Sequence, residues 1–412
     1  MNQRELSLSV EQALTQTKIT DLHTHLYTPG FGGLLLWGID ELLTYHYLVA
    51  ETMRFVDMEP AAFWQLSKVE QADLVWQTLF LDHSPVSEAC RGVLTCLAKL
   101  GLDVESRDLG EYRKYFASFS PQEYVDKVLE TSNVETAVMT NDPFDPTERS
   151  FWERGGVADD PRFRAVLRID PLLVTTPQGI STLRQLGYNV DNGLGQETLA
   201  EVRRFLSEWI RKMDALYMAV SLPPSFAYPE NSHQARLIEN CILPVSRELN
   251  VPFAMMIGVK KLVNPELVLA GDSVGKSSIE SVEYLCANFP QNKFLVTMLA
   301  RENQHELAVA ARKFGNLMPF GCWWFLNNPS LIEEITRMRT ELLGLSYLPQ
   351  HSDARVLDQL IYKWSHSREI IGKVLVDKYS DLESTGWKVT SEEIKRDVEA
   401  IMGGNFWSFL EK

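Results

Sequence analysis

The segment ITDLHTHL, residues 19–26, places His23 and His25 two positions apart inside an otherwise apolar, β-branched stretch. In a β-strand, side chains at i and i+2 point to the same side, so the two imidazoles would face one point. Imidazoles at this spacing can bind one metal ion, with Zn–N distances of about 2.0–2.1 Å. Neighbouring polar groups could equally satisfy both histidines inside a buried strand, and the motif alone does not decide between these interpretations.

The elements that must position these histidines follow from the hydropathy pattern. Apolar strand-like runs alternate with amphipathic helix-like runs, and several strands are almost continuously apolar, as in parallel strands buried on both faces. The strand-like runs lie at 20–26, 135–141, 163–170, 216–222, 252–259, 293–299, 317–325 and 348–355. This repetition predicts an α/β chain folded as a (β/α)8 TIM-type barrel. An open, doubly wound sheet is the alternative, but its usual GxGxxG fingerprint after the first strand is absent.

One connection breaks the alternation. Residues 27–134 separate the first two strands, are far longer than a single crossover and read as mostly helical. We therefore expect a barrel made of residues 1–26 and 135–412, which ends in an amphipathic helix. Residues 27–134 are expected to form a helical insertion on the C-terminal rim of the barrel, where active sites of this architecture lie.

Asp353 adds a carboxylate to the two histidines. It stands at the C-terminal end of the eighth predicted strand, in QHSDAR. In a closed barrel the first and eighth strands are neighbours, so His23, His25 and Asp353 would form an open three-ligand site. We therefore predict one divalent metal ion. Nitrogen and oxygen ligands suit zinc, manganese, iron or cobalt, and zinc is the expected metal.

An HxH motif on strand one with an Asp on strand eight resembles the amidohydrolase superfamily. Most hydrolases of that superfamily also carry a lysine or glutamate on strand four and histidines on strands five and six, and the corresponding runs lack them here. The chain resembles the uronate isomerases in particular, over most of its length, and most closely a shorter, divergent branch. The matching motifs are DLHTHL, TYHYLVAETMRF in the insertion, GCWWF near strand seven and the Asp-x-Arg that ends strand eight. Tyr45 departs from the family, which usually has an acidic residue there, and HSDAR replaces a TDSR-type ending.

The resemblance implies an aldose–ketose isomerase that interconverts D-glucuronate with D-fructuronate, or D-galacturonate with D-tagaturonate. Such a reaction removes a proton from C2 of the open-chain sugar, passes through a cis-enediol and returns a proton at C1. His46, Tyr47 and Asp353 are the candidates for proton transfer. Arg355 is the candidate for stabilising the oxyanion, because a guanidinium stays charged. The choice of the C2 base between Tyr47 and Asp353 is left open.

A uronate also carries a carboxylate, which calls for an arginine that binds both of its oxygens. Arg168 ends the third predicted strand and Arg301 follows the sixth, so both stand where loops of the rim begin. Salt bridges on the rim, with Asp170 or Glu302, are an equally good interpretation of either arginine.

Two further residues are candidate substrate contacts. Trp323 and Trp324 follow strand seven, and alternation sends one of them inward; we predict that Trp323 forms a wall of the sugar pocket. His351 stands two residues before Asp353, so alternation places it on the same side. It would contact the substrate or support the metal ligands.

Two other functions fit part of the pattern. The first is a hydrolase or lactonase with a single metal ion that activates water, although the missing histidines on strands five and six count against it. The second is a sugar-acid binding protein without turnover. A protein that had lost catalysis would have no need to keep all of its catalytic residues. The presence of His23, His25, His46, Asp353 and Arg355 therefore argues against this second function.

Composition argues against other classes of function. The 412 residues carry a formal net charge of −15, whereas partners such as nucleic acid or an anionic membrane favour a basic face. No apolar run approaches the ~20 residues of a membrane span, and the N-terminus has no signal-peptide core. The five cysteines form no CxxC pair, which fits a reduced compartment. We expect a cytoplasmic homo-oligomer that acts on a small sugar acid.

Overall fold

A computed structural model describes residues 1–155 and 160–412. Seven parallel strands form one curled sheet, with the strands in sequence order. They are β1 Ile19–Thr24, β2 Val134–Asn141, β3 Phe163–Arg168, β4 Met218–Leu222, β5 Phe253–Ile257, β6 Phe294–Met298 and β7 Leu317–Pro319. The first seven predicted strands are thereby confirmed, and the chain has an α/β fold. A separate antiparallel hairpin follows β5 and pairs Val259–Lys260 with Ser273–Val274.

Both faces of the sheet are buried, which explains the long apolar runs. On β5, Phe253 and Met255 belong to the main core beneath the helices, whereas Ala254 and Met256 belong to a second, smaller apolar cluster on the opposite face. Every strand contributes to this smaller cluster through Leu22, Val138, Val166, Ala219, Ala254, Leu295 and Met318. The smaller cluster therefore fills the inside of the curled sheet.

Helices connect the strands from β2 to β7. They are Pro146–Arg154, Asp170–Leu173, Thr176–Gln185, Gln196–Met213, His233–Leu237, Leu243–Glu248, Glu280–Asn288 and Gln304–Ala311. The longest of them buries one apolar stripe at three- and four-residue spacing, formed by Leu199, Val202, Phe205, Leu206, Trp209, Ile210 and Met213. It ends at Asp214, which takes up the left-handed conformation typical of a helix C-cap.

The remaining helices lie before β1, between β1 and β2, and after β7. Before β1 there is Gln3–Gln16, and after β7 there are Pro329–Leu343, Gln359–Ser384, Ser391–Glu399 and Asn405–Glu411. Between β1 and β2 there are Ile39–Leu43, His46–Thr52, Pro60–Gln65, Lys68–Trp76, Glu88–Lys99, Leu109–Ala117 and Pro121–Ser132. The treatment of residues 27–134 as a separate insertion stays a prediction. None of the helices in the described ranges is both long and apolar enough to cross a membrane.

The prediction of a regular eighth strand at residues 348–355 is wrong. This segment forms one isolated parallel bridge at Leu348, because Pro349 has no N–H for a ladder and Asp353 has a left-handed φ of 51°. The backbone of this segment nevertheless forms hydrogen bonds to a strand on each side, β7 and β1. The Leu348 N–H donates to β7 at 3.2 Å, and the Asp353 N–H donates to the His23 carbonyl of β1 at 3.0 Å. Asp353 therefore lies beside β1 as predicted, but in a loop.

Candidate metal centre and active site

His23 lies near the C-terminal end of β1, where one of its ring nitrogens has hydrogen-bond partners within the protein. Its Nδ1 is 3.3 Å from the hydroxyl oxygens of both Tyr217 and Thr140. The Tyr217 hydroxyl donates its own proton to the Leu22 carbonyl at 2.7 Å, so its oxygen is left to accept from His23. This places the imidazole proton on Nδ1 and the lone pair on Nε2. Burial lowers the pKa of His23 to about 3, which keeps the ring neutral and able to bind a metal.

His25 and Asp353 meet the free nitrogen of His23. Asp353 Oδ1 lies 3.3 Å from His25 Nε2 and 3.6 Å from His23 Nε2. One ligand atom from each of the three residues lies within 4.8 Å of the others. Burial holds the pKa of His25 well below its usual value, and the positive charges of Arg355 and Arg168 act in the same direction. Two neutral imidazoles and a carboxylate therefore converge on one point, as the sequence predicted.

The carboxylate of Asp353 shows that this cluster fits a cation. Asp353 is 4% exposed, and its Oδ1 has no hydrogen-bond donor among the described residues. An imidazole lone pair 3.3 Å from a carboxylate oxygen is unfavourable unless a proton or a cation lies between them. Nitrogen and oxygen donors in this number suit a divalent metal, and a three-ligand set leaves coordination positions open.

Two polar side chains of the helix His46–Thr52 lie close to this cluster. Both ring nitrogens of His46 and the hydroxyl of Tyr47 are buried without a hydrogen-bond partner in the described part of the chain. Burial holds the pKa of His46 well below and that of Tyr47 well above its usual value, and the charges of Asp353 and Arg355 act on both groups. Buried neutral donors and acceptors without a protein partner are free to bond a bound molecule.

Arg355 brings a positive charge to the same place. Its backbone N–H donates to the side-chain oxygen of Gln359 at 2.8 Å, which holds the residue at the end of the loop. Its guanidinium forms no salt bridge within residues 1–155 and 160–412, and its charge lowers the pKa of both His25 and His46. Arg355 therefore supplies a cationic group that pairs with no carboxylate of the described residues.

The two arginines predicted to bind the substrate carboxylate are placed differently. Arg168, at the end of β3, forms a bidentate salt bridge with Asp170 at 3.0 and 3.1 Å, and its charge lowers the pKa of both His23 and His25. The Arg301 side chain is 57% exposed and pairs with Glu334 at 3.0 Å. Arg168 therefore lies within electrostatic range of His23 and His25, whereas Arg301 forms a surface salt bridge.

The two tryptophans after β7 also differ. Trp323 is buried among the apolar residues inside the sheet, and its role as a wall of the sugar pocket stays a prediction. The Trp324 ring lies 5.6 Å from the His46 ring and 5.7 Å from the Lys261 ammonium. Trp324, and not the predicted Trp323, therefore contacts His46, and Lys261 lies over the Trp324 ring.

His351 is fully buried against His23. Its ring centroid lies 5.3 Å from those of His23 and Phe320, and neither of its ring nitrogens has a partner in the described ranges. Gly321 makes room for the ring, because a Cβ at that position would lie 1.9 Å from His351 Cδ2. This places His351 beside His23, a candidate metal ligand. Its predicted contact with substrate stays a prediction.

Tyr217 and Thr140 are functional partners that the sequence analysis missed. Tyr217 lies just before β4 and belongs to the apolar cluster inside the sheet, and Thr140 lies on β2. The sequence did contain one sign of this role. Tyr217 stands two residues before Ala219, which faces the inside of the sheet, so strand alternation would place the Tyr217 hydroxyl inside as well. These hydroxyls orient the His23 ring.

Replacing Tyr217 by phenylalanine is expected to weaken metal binding by about tenfold or more, because partners that orient metal-binding histidines typically contribute about 10–100-fold. The ring is kept, but His23 Nδ1 loses the Tyr217 hydroxyl, whose oxygen is the acceptor that favours a proton on Nδ1, and keeps only Thr140 as a partner. A competition titration with a chromogenic chelator measures the zinc affinity. Tyr347→Phe is the matched control, because the buried Tyr347 hydroxyl bonds Thr340 and Thr336 instead. Equal zinc affinity in the two variants would contradict the orienting role of Tyr217.

Comparison with known proteins agrees with this arrangement. A solved structure of a uronate isomerase from Bacillus halodurans is 58% identical to the chain, covers 100% of it and 97% of its own length, and superposes with a TM-score of 0.98. The fold is shared with a uronate isomerase from Thermotoga maritima, at 16% identity, 98% and 97% coverage and a TM-score of 0.79. It is also shared with a glucuronate isomerase from Caulobacter crescentus, at 13% identity, 99% and 94% coverage and a TM-score of 0.72.

No protein-family model matches the chain, and no curated protein does. The full-length identity of 58% with the Bacillus halodurans enzyme is nevertheless far above what a shared fold alone produces. It confirms the resemblance that the motifs indicated: the chain belongs to the uronate isomerase family.

Proposed function

We propose that the chain is a uronate isomerase that interconverts D-glucuronate with D-fructuronate and D-galacturonate with D-tagaturonate. The observation that carries the proposal is the convergence of the His23–His25–Asp353 cluster with buried, unpartnered groups of His46 and Tyr47. Membership of the uronate isomerase family supports the substrate class.

We infer further that the curled sheet closes into a (β/α)8 barrel, with residues 27–134 as a helical insertion on its C-terminal rim. Residues 348–354 support closure, because their backbone bonds β7 on one side and β1 on the other, including a 2.7 Å bond from the His25 N–H to the Ala354 carbonyl. The approach of His46 to the C-terminal end of β1 supports a rim position for the insertion.

His23, His25 and Asp353 would hold one divalent metal ion, and zinc is the proposed metal. Such an ion supplies positive charge that polarises a substrate oxygen and lowers the pKa of a hydroxyl bound to it. The neutral state of both imidazoles and the unpaired Oδ1 of Asp353 support this assignment.

In the proposed reaction, Asp353 removes the proton from C2 of the open-chain aldose. The C2–H electron pair forms the C1=C2 bond of a cis-enediolate, while the carbonyl electrons move to O1, where the Arg355 guanidinium stabilises the negative charge. His46 accepts the proton of the O2 hydroxyl as the C2 carbonyl forms and delivers that proton to O1, and Asp353 returns its own proton to C1. One carboxylate can serve both carbons because they are adjacent on one face of the enediol.

Tyr47→Phe is expected to lower turnover by about 10²-fold, because the Tyr47 hydroxyl donates a hydrogen bond to the enediolate in this scheme. Burial keeps the pKa of Tyr47 well above its usual value, so the group is a donor rather than a base. The C2 proton should still exchange with solvent deuterium, which ¹H NMR in D₂O detects. Loss of exchange at normal metal content would instead make Tyr47 the C2 base. Tyr112→Phe is the control, since its hydroxyl bonds the distant Asp103 carbonyl.

The substrate carboxylate is proposed to bind Arg168, whose charge already reaches the metal-binding histidines. To do so, the Arg168 guanidinium would be shared between the substrate and Asp170. Arg301, Trp323 and His351 are kept as proposed substrate contacts. Arg301 would have to leave Glu334 to act in this way.

The function is tested by incubating zinc-loaded protein with each hexuronate and following the ketose C2 resonance by ¹³C NMR. We expect ketose to form, turnover to fall when a chelator removes the metal, and turnover to return when zinc is added back. No ketose from several hexuronates would refute the proposal. Hydrolysis of an aldonolactone without isomerisation would indicate a lactonase, and sugar-acid binding without turnover would indicate a binding protein.

We also propose that the protein is a cytoplasmic homo-oligomer. All five cysteines are buried free thiols, which supports a reducing compartment. The exposed apolar side chains of Leu262, Val263 and Val268, in the loop after β5, support a subunit contact. Light scattering coupled to size exclusion gives the oligomeric state.

A further inference from the structure

The backbone of Ser352, directly before Asp353, is held by two buried side chains of opposite charge. The Ser352 N–H donates to Asp21 Oδ1 at 3.0 Å, and the Lys363 ammonium donates to the Ser352 carbonyl at 2.5 Å. Ser352 and Asp21 are 0% exposed, and Lys363 is 2% exposed. None of these charges reaches water, so each acts on its protein neighbours with little screening.

These two charges come from different elements. Asp21 lies on β1, two residues before His23, and its second carboxylate oxygen accepts from Trp364 Nε1 at 2.7 Å. Lys363 and Trp364 both lie on the helix Gln359–Ser384. The network therefore connects the strand that carries His23 and leads into His25 to the loop that carries Asp353.

Packing does not explain Lys363. A buried ammonium costs free energy that an apolar side chain of similar length avoids. The Ser352 carbonyl does not depend on it, because Asn327 donates to the same oxygen at 3.2 Å. Burial lowers the pKa of Lys363 to about 8, while the carboxylates of Asp353 and Asp21 act in the opposite direction. The charge is thus placed where it is costly, next to the metal-ligand cluster.

Asp353 needs such support because its φ of 51° lies in the left-handed region, which residues other than glycine rarely adopt. Lys363 also lies under Tyr47, with its ammonium 5.9 Å from the centre of the ring, within the range of a cation–π contact. A single side chain therefore contacts both the loop of Asp353 and the ring of Tyr47.

We propose that Lys363 and Asp21 are positioning residues of the isomerase centre, which hold the Ser352 backbone from opposite sides and thereby set Asp353 against His23 and His25. Lys363 sets the Tyr47 ring through the same ammonium. This inference rests on the proposed function for its effect on turnover, whereas its effect on the metal-ligand geometry is independent of the substrate.

The test compares Lys363→Met, Lys363→Arg and Asp21→Asn with wild-type protein and with Lys293→Met. Lys293 is the matched control, because it is a buried lysine that donates to another backbone carbonyl, that of Leu410 at 2.5 Å. The readouts are zinc affinity, the visible spectrum of the Co²⁺-substituted protein, and kcat and KM for a hexuronate.

For Lys363→Met and Asp21→Asn we expect zinc affinity to fall by about 10–100-fold, the Co²⁺ spectrum to shift, and kcat to fall by more than KM rises. Lys363→Arg should recover part of the affinity because it keeps the charge. Lys293→Met should match wild type in all three readouts, whatever its melting temperature.

Wild-type zinc affinity and an unchanged Co²⁺ spectrum in folded Lys363→Met would overturn the proposal. If Lys363→Met does not fold, Asp21→Asn decides, because it preserves shape while removing the charge; unchanged affinity there also overturns the proposal. Failure of the proposed function has a different signature, since wild-type protein would then bind zinc normally and convert no hexuronate.

Discussion

Asp353→Asn is expected to lower kcat/KM for hexuronate isomerisation by about 10³-fold, within the range that a positioned acid–base group contributes. Asparagine keeps the shape of the side chain and one carbonyl oxygen. It cannot accept the C2 proton, and it removes the only anionic ligand of the His23–His25–Asp353 cluster. Steady-state kinetics on protein of known metal content would measure both effects.

Asp160→Asn is the matched control for this change, because Asp160 is a buried carboxylate whose partner is Arg162. It should leave kcat/KM unchanged. Near-wild-type turnover by Asp353→Asn with a full complement of metal would show that another group removes the C2 proton. A large loss in both variants would point to a general effect on folding instead.

Gly321→Ala is expected to lower the free energy of unfolding by about 2–5 kcal/mol, because it combines left-handed strain with overpacking. Gly321 has a φ of 70°, and an added Cβ would lie 1.9 Å from Cδ2 and 2.5 Å from Nε2 of His351. The His351 ring cannot move away freely, since it packs 5.3 Å from both His23 and Phe320. The displacement should therefore also weaken metal binding, and urea unfolding and zinc titration measure the two effects.

Substitutions at two other glycines distinguish backbone strain from overpacking as the cause of the lost stability. Gly344 has a φ of 63° with nothing within 4 Å of an added Cβ, so Gly344→Ala tests left-handed strain alone. Gly315 has neither constraint, so Gly315→Ala should be neutral. If Gly321→Ala costs no more than Gly344→Ala, the contact with His351 is not rigid and the predicted link to the metal site is wrong.

Much of the fold was predictable because its signals are local. Parallel strands buried on both faces are mostly apolar, and the seven runs from 20–26 to 317–325 are confirmed as strands of one sheet. The predicted eighth run continues the alternation of strand-like and helix-like segments. It contains Pro349 and a left-handed Asp353, however, and it forms a loop. Pro349 is visible in the sequence and argues against a regular strand, whereas hydropathy does not report the left-handed conformation of Asp353.

The metal-ligand cluster was predictable for a related reason. His23 lies on β1 and His25 directly follows that strand, and the end of the repeating pattern places Asp353 beside it. The placement of the substrate-contact candidates was harder to predict. Arg168 and Arg301 occupy similar positions after strands, yet the first lies near the cluster and the second pairs with Glu334 at the surface. That outcome depends on which carboxylate each side chain meets.

The amino-acid sequence by itself determined the class of fold, the three candidate metal ligands and the family, since each rests on residue types at short or regular spacing. Only the tertiary structure decided which nitrogen of His23 is free, through the Tyr217 hydroxyl 194 positions away. It also decided that Lys363 lies buried against the Ser352 carbonyl and beneath Tyr47. Hydrogen-bond partners and burial from solvent depend on elements that are far apart in the chain, so strand and helix periodicity does not reveal them.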